Sequence, residues 1–373
     1  MVTSPLPLRR SGPLPGHRHD AVPHPGGAPA VAIWSDPLLA ACAAAAGSEL
    51  TYAEGPTPLD QAQGAWAFGF RLQGGPATSG SALPDPDDPW GVSLVVRLAD
   101  DRGTLEREAA AMRLSRSHGL GSPAVRQIVP LETGDGSGTL WALITEVVDG
   151  VALPELIGFN LHQSDDLLSG FAAHHLAIHR LPAGELGADQ PIPVIVDAAE
   201  VARIDPDRFP GERNWLDEHL PAPAVAGLCH GGYQPMCVFG PPPAAWADHG
   251  GAGKGLTVAN WSGAVLAPPE FDVAFTLVAF WSAPFFAKNR AERAAIKMIR
   301  NTLLNTYTLG YTGELDPDRV RFWRAFHAAR GLARLGGGYD AAGSPFGPLD
   351  RGPLPDELGP ELQRHFRQIT RMR

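Results

Sequence analysis

The side chains best able to take part in chemistry are concentrated between positions 228 and 272. The candidates there are the thiol of Cys237, the imidazole of His249 and the carboxylates of Asp248, Glu270 and Asp272. Carboxylates and imidazoles can act as general acids and bases, and carboxylate oxygens are the ligands that Mg²⁺ prefers. A thiol can react as a nucleophile or fill a small gap in a core, and we favour the second interpretation for Cys237.

A second candidate site lies earlier, in the segment DDLLSGFAAHHLAIH. His175 and His179 are four residues apart, so on a helix they share one face and could bind a metal ion together. No acidic residue lies between them, unlike the H-E-x-x-H pattern of zinc enzymes. We therefore interpret both histidines as structural and predict no metal site.

The stretch around Cys237 has the spacing of a known family. It reads LCHGGYQPMCVFG, then a Pro/Gly-rich gap, then LTVANWSGAVLAPPEFDVAF. This resembles the catalytic half of the aminoglycoside phosphotransferase and choline kinase family, which has H-G-D-x-x-x-x-N on a loop, a strand ending in I-D-W, and D-L-A opening a helix. The matching residues are His230, Gly231, Pro235, Trp261, Asp272 and Ala274.

The resemblance covers roughly Leu50 to Leu335 and implies a fold class. It predicts an α+β, protein-kinase-like fold with two lobes, a small lobe built on an antiparallel β-sheet and a larger, mostly helical lobe. Composition adds a disordered, Pro/Gly/His-rich tail at residues 1–30. The predicted domains are then the small lobe at 31–148, the helical lobe at 149–335, and a linker with a C-terminal helix at 336–373.

At three motif positions this sequence lacks the residues of the family. The base Asp corresponds to Gly232, the Asn to Cys237, and the metal-binding Asp to Asn260. By the resemblance, the loop Asp orients and deprotonates the acceptor hydroxyl, while the other two side chains hold Mg²⁺ against the phosphates. Glycine has no side chain to act as a base, and neither a thiol nor a neutral amide is a hard anionic ligand. His230 and Asp272 retain the motif positions of the loop and its support.

The first half of the chain matches the nucleotide-binding parts of the family less completely. It contains no lysine, so Arg97 in VVRLA takes the place of the strand Lys that contacts phosphates. Glu108 matches the Glu that would pair with it, although a solvated helix residue is the alternative. Backbone groups from Glu146 to Val148 match the hinge that meets an adenine edge. The phosphate-covering turn is replaced by EGPTPLDQAQ, whose two prolines lack N–H donors.

Charge and cysteine usage exclude several classes of partner. The 373-residue chain has a formal net charge of −10, which argues against nucleic-acid binding because phosphate backbones require a basic face. No polybasic segment or long apolar run indicates a membrane. An acidic surface would suit a cationic small molecule, although acidity also serves solubility. Three cysteines without a C-x-x-C pair indicate neither disulfides nor zinc and favour a cytoplasmic location.

Two principal functions follow from these residues. The first is a catalytically impaired pseudokinase that binds ATP, another nucleotide or a small molecule between the lobes, with weak use of Mg²⁺ or none. The alternative is an active ATP-dependent phosphotransferase for a small-molecule hydroxyl, in which Asp248 or Asp272 replaces the lost ligands. A third hypothesis is a protein-interaction module that uses the basic C-terminal helix. The sequence alone leaves enzyme and non-enzyme open and gives no oligomeric state.

Overall fold

The computed structural model describes residues 31–59, 66–74, 90, 92–133, 139–186, 192–195, 197–287, 289–341 and 354–372. The predicted tail and most of the predicted linker lie outside these ranges. Within them, no helix combines the length and the apolar character that crossing a bilayer requires.

The small lobe is built on a five-stranded antiparallel sheet. Its strands are β1 (Leu50–Pro58), β2 (Trp66–Gly74), β3 (Ser93–Ala99), β4 (Val125–Glu132) and β5 (Thr139–Glu146), in the spatial order β1-β2-β3-β5-β4. Alternate apolar residues of β2 and β3, such as Phe68, Phe70 and Val96, are buried on one face with Trp34 and Leu38. Leu38 belongs to helix α1 (Ser35–Ala46), which covers that face.

Helix α2 (Arg102–Ser117) lies between this sheet and the rest of the molecule. Asp101 accepts hydrogen bonds from the Gly103 and Thr104 amides at 3.1 and 2.9 Å and so caps the start of the helix. Leu105 of α2 packs against Leu143 of β5. One turn or more further along, Met112 and Leu114 belong to the core of the helical lobe. The helix therefore contacts both lobes.

The helical lobe has two adjoining cores that share one helix. The helices are α3 (Leu153–Phe159), α4 (Ser164–His179), α5 (Asp197–Ala202), α6 (Pro210–Glu218), α7 (Pro269–Ser282), α8 (Arg290–Gly310), α9 (Pro317–Leu335) and α10 (Leu358–Thr370). One core contains Phe171, Phe280 and Tyr307, and the other contains Phe271 and Trp323. Because α7 contributes to both, it is apolar on nearly every face.

Short strands bracket the loop and the turn in which the motif residues lie. The strands are β6 (Val151–Ala152), β7 (Gly227–Cys229), β8 (Val238–Gly240), β9 (Thr257–Val258) and β10 (Val265–Ala267). Strand β7 pairs with β10, and β8 lies between β6 and β9. The amide of Val258 donates to Gly121 O at 2.9 Å, and a Cβ on Gly121 would lie 2.2 Å from Leu256 O. Only glycine permits this close contact between the α2–β4 connection and the helical lobe.

The architecture agrees with the fold class predicted from the sequence, a small antiparallel sheet lobe beside a larger helical lobe. Strand β5 ends at Glu146, the first residue of the segment that resembles the hinge. The amide of Val147 still donates to Ser93 O at 3.0 Å, after which the chain leaves the sheet for β6 and α3.

Candidate functional site

The loop between β7 and β8 is anchored by one buried carboxylate. Asp272, in the first turn of α7, accepts hydrogen bonds from His230 N at 2.6 Å and from Gly231 N at 3.1 Å. Gly231 has a φ of +74°, and a Cβ there would lie 1.8 Å from Gly263 O. The glycine therefore permits the left-handed turn that directs two successive amides at the carboxylate.

Two histidines of α4 complete the surroundings of Asp272. Nε2 of His175 lies 3.1 Å, and Nε2 of His179 lies 3.4 Å, from Asp272 Oδ2. On the far side of each ring Nδ1 lies 2.7 Å from a tyrosine hydroxyl, Tyr307 for His175 and Tyr311 for His179. Burial lowers the pKa of His175 to about 3, so this ring is neutral at pH 7. With its Nε2–H facing the carboxylate, its Nδ1 accepts from the Tyr307 hydroxyl.

The same three groups are also spaced as metal ligands would be. The ligand atoms of His175, His179 and Asp272 all lie within 4.8 Å of one another. Burial raises the pKa of Asp272, but its interactions with the two histidines outweigh burial and hold the pKa well below its ordinary value. The N–H groups around this carboxylate provide it with hydrogen-bond donors without an ion. This supports a structural role for His175 and His179. The absence of a metal here stays a prediction.

Strand β3 and helix α2 bring Arg97 and Glu108 together above this loop. Arg97 Nε lies 3.0 Å from Glu108 Oε2, and the two side chains are 8% and 0% exposed. Burial raises the pKa of Glu108, while the charges of Arg97 and Arg107 and the Trp261 amide act in the opposite direction. Glu108 thus faces inward as part of a buried ion pair, and it does not have the solvated position considered as the alternative.

Arg97 also contacts the helical lobe. Its Nη1 donates to Asn260 Oδ1 at 3.0 Å, and the same oxygen accepts from Ser262 Oγ at 3.1 Å. Asn260 Nδ2 lies 3.8 Å from Cys237 Sγ, and that sulfur lies 3.7 Å from Gly232 O. The structure therefore brings the three substituted motif positions together, with an arginine from the other lobe beside them.

The side chains of Cys237 and Asn260 are not suitable ligands for a magnesium ion. Burial raises the pKa of Cys237 to about 11, so its sulfur is a neutral thiol at pH 7. The Asn260 amide oxygen already accepts two hydrogen bonds, one of them from the positively charged Arg97. Mg²⁺ prefers hard, anionic oxygen ligands, and neither side chain offers one. A guanidinium group lies beside Asn260 where the resemblance predicts a metal ion.

The two predicted hinge residues have different surroundings. Glu146 ends β5, and its side chain pairs with Arg126. The amide of Glu146 donates to Ala124 O at 2.9 Å, and Val147 is bonded to β3 as described above. Val148 is half-buried and lies just past these bonded amides. The amides of Glu146 and Val147 are therefore already bonded within the protein.

The carboxylates considered as substitutes have other positions. Glu270 accepts a hydrogen bond at 2.9 Å from the amide of the α9 N-cap residue. Asp248 and His249 are exposed in the connection between β8 and β9. Asp272 is saturated by the loop amides and the histidines. Among the residues that the structure describes, none of these four has a side-chain contact with Cys237 or Asn260.

Sequence analysis missed three residues of the site. Tyr307 and Tyr311 are spaced by four residues, like the two histidines whose Nδ1 atoms they contact. That equal spacing was a usable signal, because residues four apart along a helix share a face, and Tyr311 directly follows α8, to which Tyr307 belongs. Ser262, which donates to Asn260, had no comparable signal, since its role depends on the turn formed by Trp261–Gly263.

Comparisons with known proteins give evidence from structure alone. No family model and no curated protein matches the sequence. A protein from Ralstonia eutropha assigned to the aminoglycoside phosphotransferases is 15% identical over 91% of this chain and 98% of its own, with a TM-score of 0.56. A thermostable mutant of aminoglycoside phosphotransferase APH(4)-Ia is 17% identical over 90% and 98%, with a TM-score of 0.55. Amicoumacin kinase hAmiN is 13% identical over 85% and 88%, with a TM-score of 0.52. These likenesses confirm the predicted two-lobed, kinase-like fold.

We expect Asp272→Asn to make the fold less stable in a pH-dependent way. The pKa of Asp272 is lower in the folded than in the unfolded chain, so its ionised form stabilises the fold above about pH 5, and this contribution is lost as pH falls toward the folded pKa. At pH 7 the free energy of unfolding should fall by about 3–5 kcal/mol, as when a buried charge network is broken. Urea unfolding followed by circular dichroism measures the free energy of unfolding at each pH. Asp318→Asn, at an exposed aspartate, is the control. If the loss of unfolding free energy in Asp272→Asn is the same at pH 3.5 as at pH 7, the lowered pKa of Asp272 is contradicted.

A double-mutant cycle tests the buried pair. Arg97→Met leaves Glu108 buried without its nearest cation and should lower the free energy of unfolding by about 3–5 kcal/mol. Replacing both residues by methionine removes both charges. Because apolar replacement of a buried ion pair often leaves stability unchanged, the double variant should recover most of the lost free energy of unfolding. Arg364→Met, at an arginine paired with Glu361 on the surface of α10, should change stability by about 0–1 kcal/mol. A double variant no more stable than Arg97→Met would mean that the Glu108 pairing is not the main contribution of Arg97.

Proposed function

Since the chain has the aminoglycoside phosphotransferase fold, we propose that it is a catalytically impaired pseudokinase that binds a nucleotide or another small molecule in the cleft between its lobes. One observation carries this proposal, the hydrogen bond of 3.0 Å between Arg97 and Asn260. At this place the resemblance predicts a metal-binding carboxylate. An amide that accepts a hydrogen bond from a fixed arginine is a poor ligand for a divalent cation.

The case for impaired catalysis rests on what each group can do. Phosphoryl transfer depends mostly on positioning and on neutralising the charge of the phosphates. Gly232 provides no base, and the loss of a general base alone typically costs about 10²–10⁴ in rate. Asp272 is buried beneath the loop, where its oxygens accept the His230 and Gly231 amides. This carboxylate therefore supports the loop and is not available to deprotonate an acceptor.

The case for a retained ligand rests on parts that do not need those side chains. Arg97 and Glu108 form a buried ion pair on β3 and α2, and Val148 follows the bonded end of β5. Related folds have been solved with nucleotides, APH(4)-Ia with ADP and hygromycin B, and hAmiN with AMP-PNP and Ca²⁺. For this chain ATP or another nucleotide is the proposed ligand. Its acidic net charge of −10 would suit a cationic second molecule.

We expect ATP to bind equally well with and without Mg²⁺. Isothermal titration calorimetry of the full chain in EDTA and in excess MgCl₂ should give dissociation constants that agree within about twofold, because neither Cys237 nor Asn260 offers an anionic oxygen to favour the metal complex. The matched comparison is the triple variant Gly232→Asp, Cys237→Asn and Asn260→Asp, which introduces the family residues. In that variant Mg²⁺ should tighten ATP binding by about tenfold or more, equivalent to about 1.4 kcal/mol.

The active-enzyme alternative predicts a different set of results. It requires Mg²⁺-dependent binding in the unmodified chain and loss of that binding in Asp248→Ala or Asp272→Ala. It also requires ATP-dependent phosphorylation of an aminoglycoside, choline or sugar hydroxyl above a heat-inactivated control. Either result would overturn the pseudokinase proposal. A failure to bind any nucleotide would restrict the cleft to another small molecule and remove the nucleotide from the proposal.

A further inference from the structure

A cavity lies within the helical lobe, and its wall includes Tyr307 and Tyr311, the two tyrosines that contact His175 and His179. Its volume is about 620 Å³, and it is bounded by α7, the end of α8, the start of α9 and the end of α10. Val273 and Leu277, one turn apart on α7, form part of its wall. None of Arg97, Glu108 or Asn260 lines it. Its size is within the range of about 300–1,000 Å³ that is usual for small-molecule sites.

The wall of this cavity combines apolar surface with arginines. Val320 and Ile369 add apolar side chains, while Arg321, Arg324 and Arg371 add positive charge. One acidic residue, Asp318, also belongs to the wall, but it is exposed to solvent, where its charge is screened. The cavity is therefore both apolar and cationic.

Arg321 and Arg324 differ in what they already bind. Arg321 Nε donates to Ile369 O at 2.9 Å and its Nη2 to Thr370 O at 3.2 Å, so it caps the end of α10. Arg324 is half-buried, and its Nε is buried without a hydrogen-bond partner in the described part of the chain. Burial lowers the pKa of Arg324, and no carboxylate offsets this effect.

The titratable side chain of His365, which senses the charge of Arg324, does not neutralise it. His365 of α10 has a pKa lowered to about 3 by burial and by the charges of Arg324 and Arg300, so it is neutral at pH 7. A guanidinium group withdrawn from water costs free energy unless an anion or hydrogen-bond acceptors compensate. An acidic group bound in the cavity would provide that compensation, and the apolar wall would bury the rest of the same molecule.

We propose that this cavity is a second binding site, and that its ligand is a small organic anion with an acidic head group on an apolar body. Arg324 binds the head group, and Val273, Leu277 and Val320 contact the body. The proposal does not rest on the function of the cleft. It requires only that the cavity accept one such molecule in the folded chain.

Fluorescence titration with 8-anilinonaphthalene-1-sulfonate tests the site. This probe joins a sulfonate to an aromatic body, and N-phenyl-1-naphthylamine is a closely matched probe without the charge. We expect one sulfonate probe to bind per chain. Arg324→Gln should weaken it by about tenfold or more, since hydrogen bonds to charged groups are stronger than those between neutral groups, and should leave the neutral probe unchanged.

Two further variants separate the head-group contact from the cavity. Leu315→Trp adds volume inside the cavity without removing a charge, so it should weaken both probes. Arg367→Gln changes an arginine of α10 that does not line the cavity, so it should weaken neither. Circular dichroism and thermal unfolding establish that each variant is folded. Sulfonate binding that is unaffected by Arg324→Gln, or by Leu315→Trp, would overturn the proposal, as would several equivalent sites per chain.

Discussion

The geometry of the candidate site depends on the Asp272 carboxylate. Its two oxygens accept the amides of His230 and Gly231. Because those amides belong to consecutive residues, the carboxylate fixes the direction of the chain just before Gly232. The left-handed conformation of Gly231 is part of the same arrangement, since a side chain there would meet Gly263 O. The loop is thus shaped by contacts beneath it, and its shape does not need a catalytic side chain at position 232.

This separation explains how a framework can persist while the groups above it change. In the described structure the loop contacts α7 from below, whereas Asn260 contacts Cys237, Arg97 and Ser262. Asn260 has a φ of +65°, a left-handed conformation that Asn adopts more readily than most residues do. Its amide oxygen then accepts both the guanidinium and the hydroxyl. The acceptor in this cluster is thus a neutral oxygen that one cationic and one neutral donor already occupy.

The sequence made the framework predictable but not the contacts. The spacing of His230, Gly231, Trp261 and Asp272 identified the loop, the turn and α7, because backbone geometry and burial restrict the residue types there. The contact of Arg97 with Asn260 joins residues 163 positions apart on different lobes. No local pattern encodes such a contact, and only the resemblance placed these residues near each other. The tyrosine and histidine pairs are 132 positions apart, and their register follows from how α4 packs on α8.

Arginine is the cation at both proposed ligand sites, although the chain as a whole is acidic. A guanidinium group has a planar set of five donors and stays protonated throughout the pH range in which most proteins are folded. Arg97 is paired with Glu108 and donates to Asn260, while Nε of Arg324 has no hydrogen-bond partner in the described structure. The charge of each guanidinium group is therefore constant near neutral pH. Any pH dependence of anion binding would then come from a neighbouring carboxyl group such as Glu108, from the ligand, or from unfolding as Asp272 is protonated.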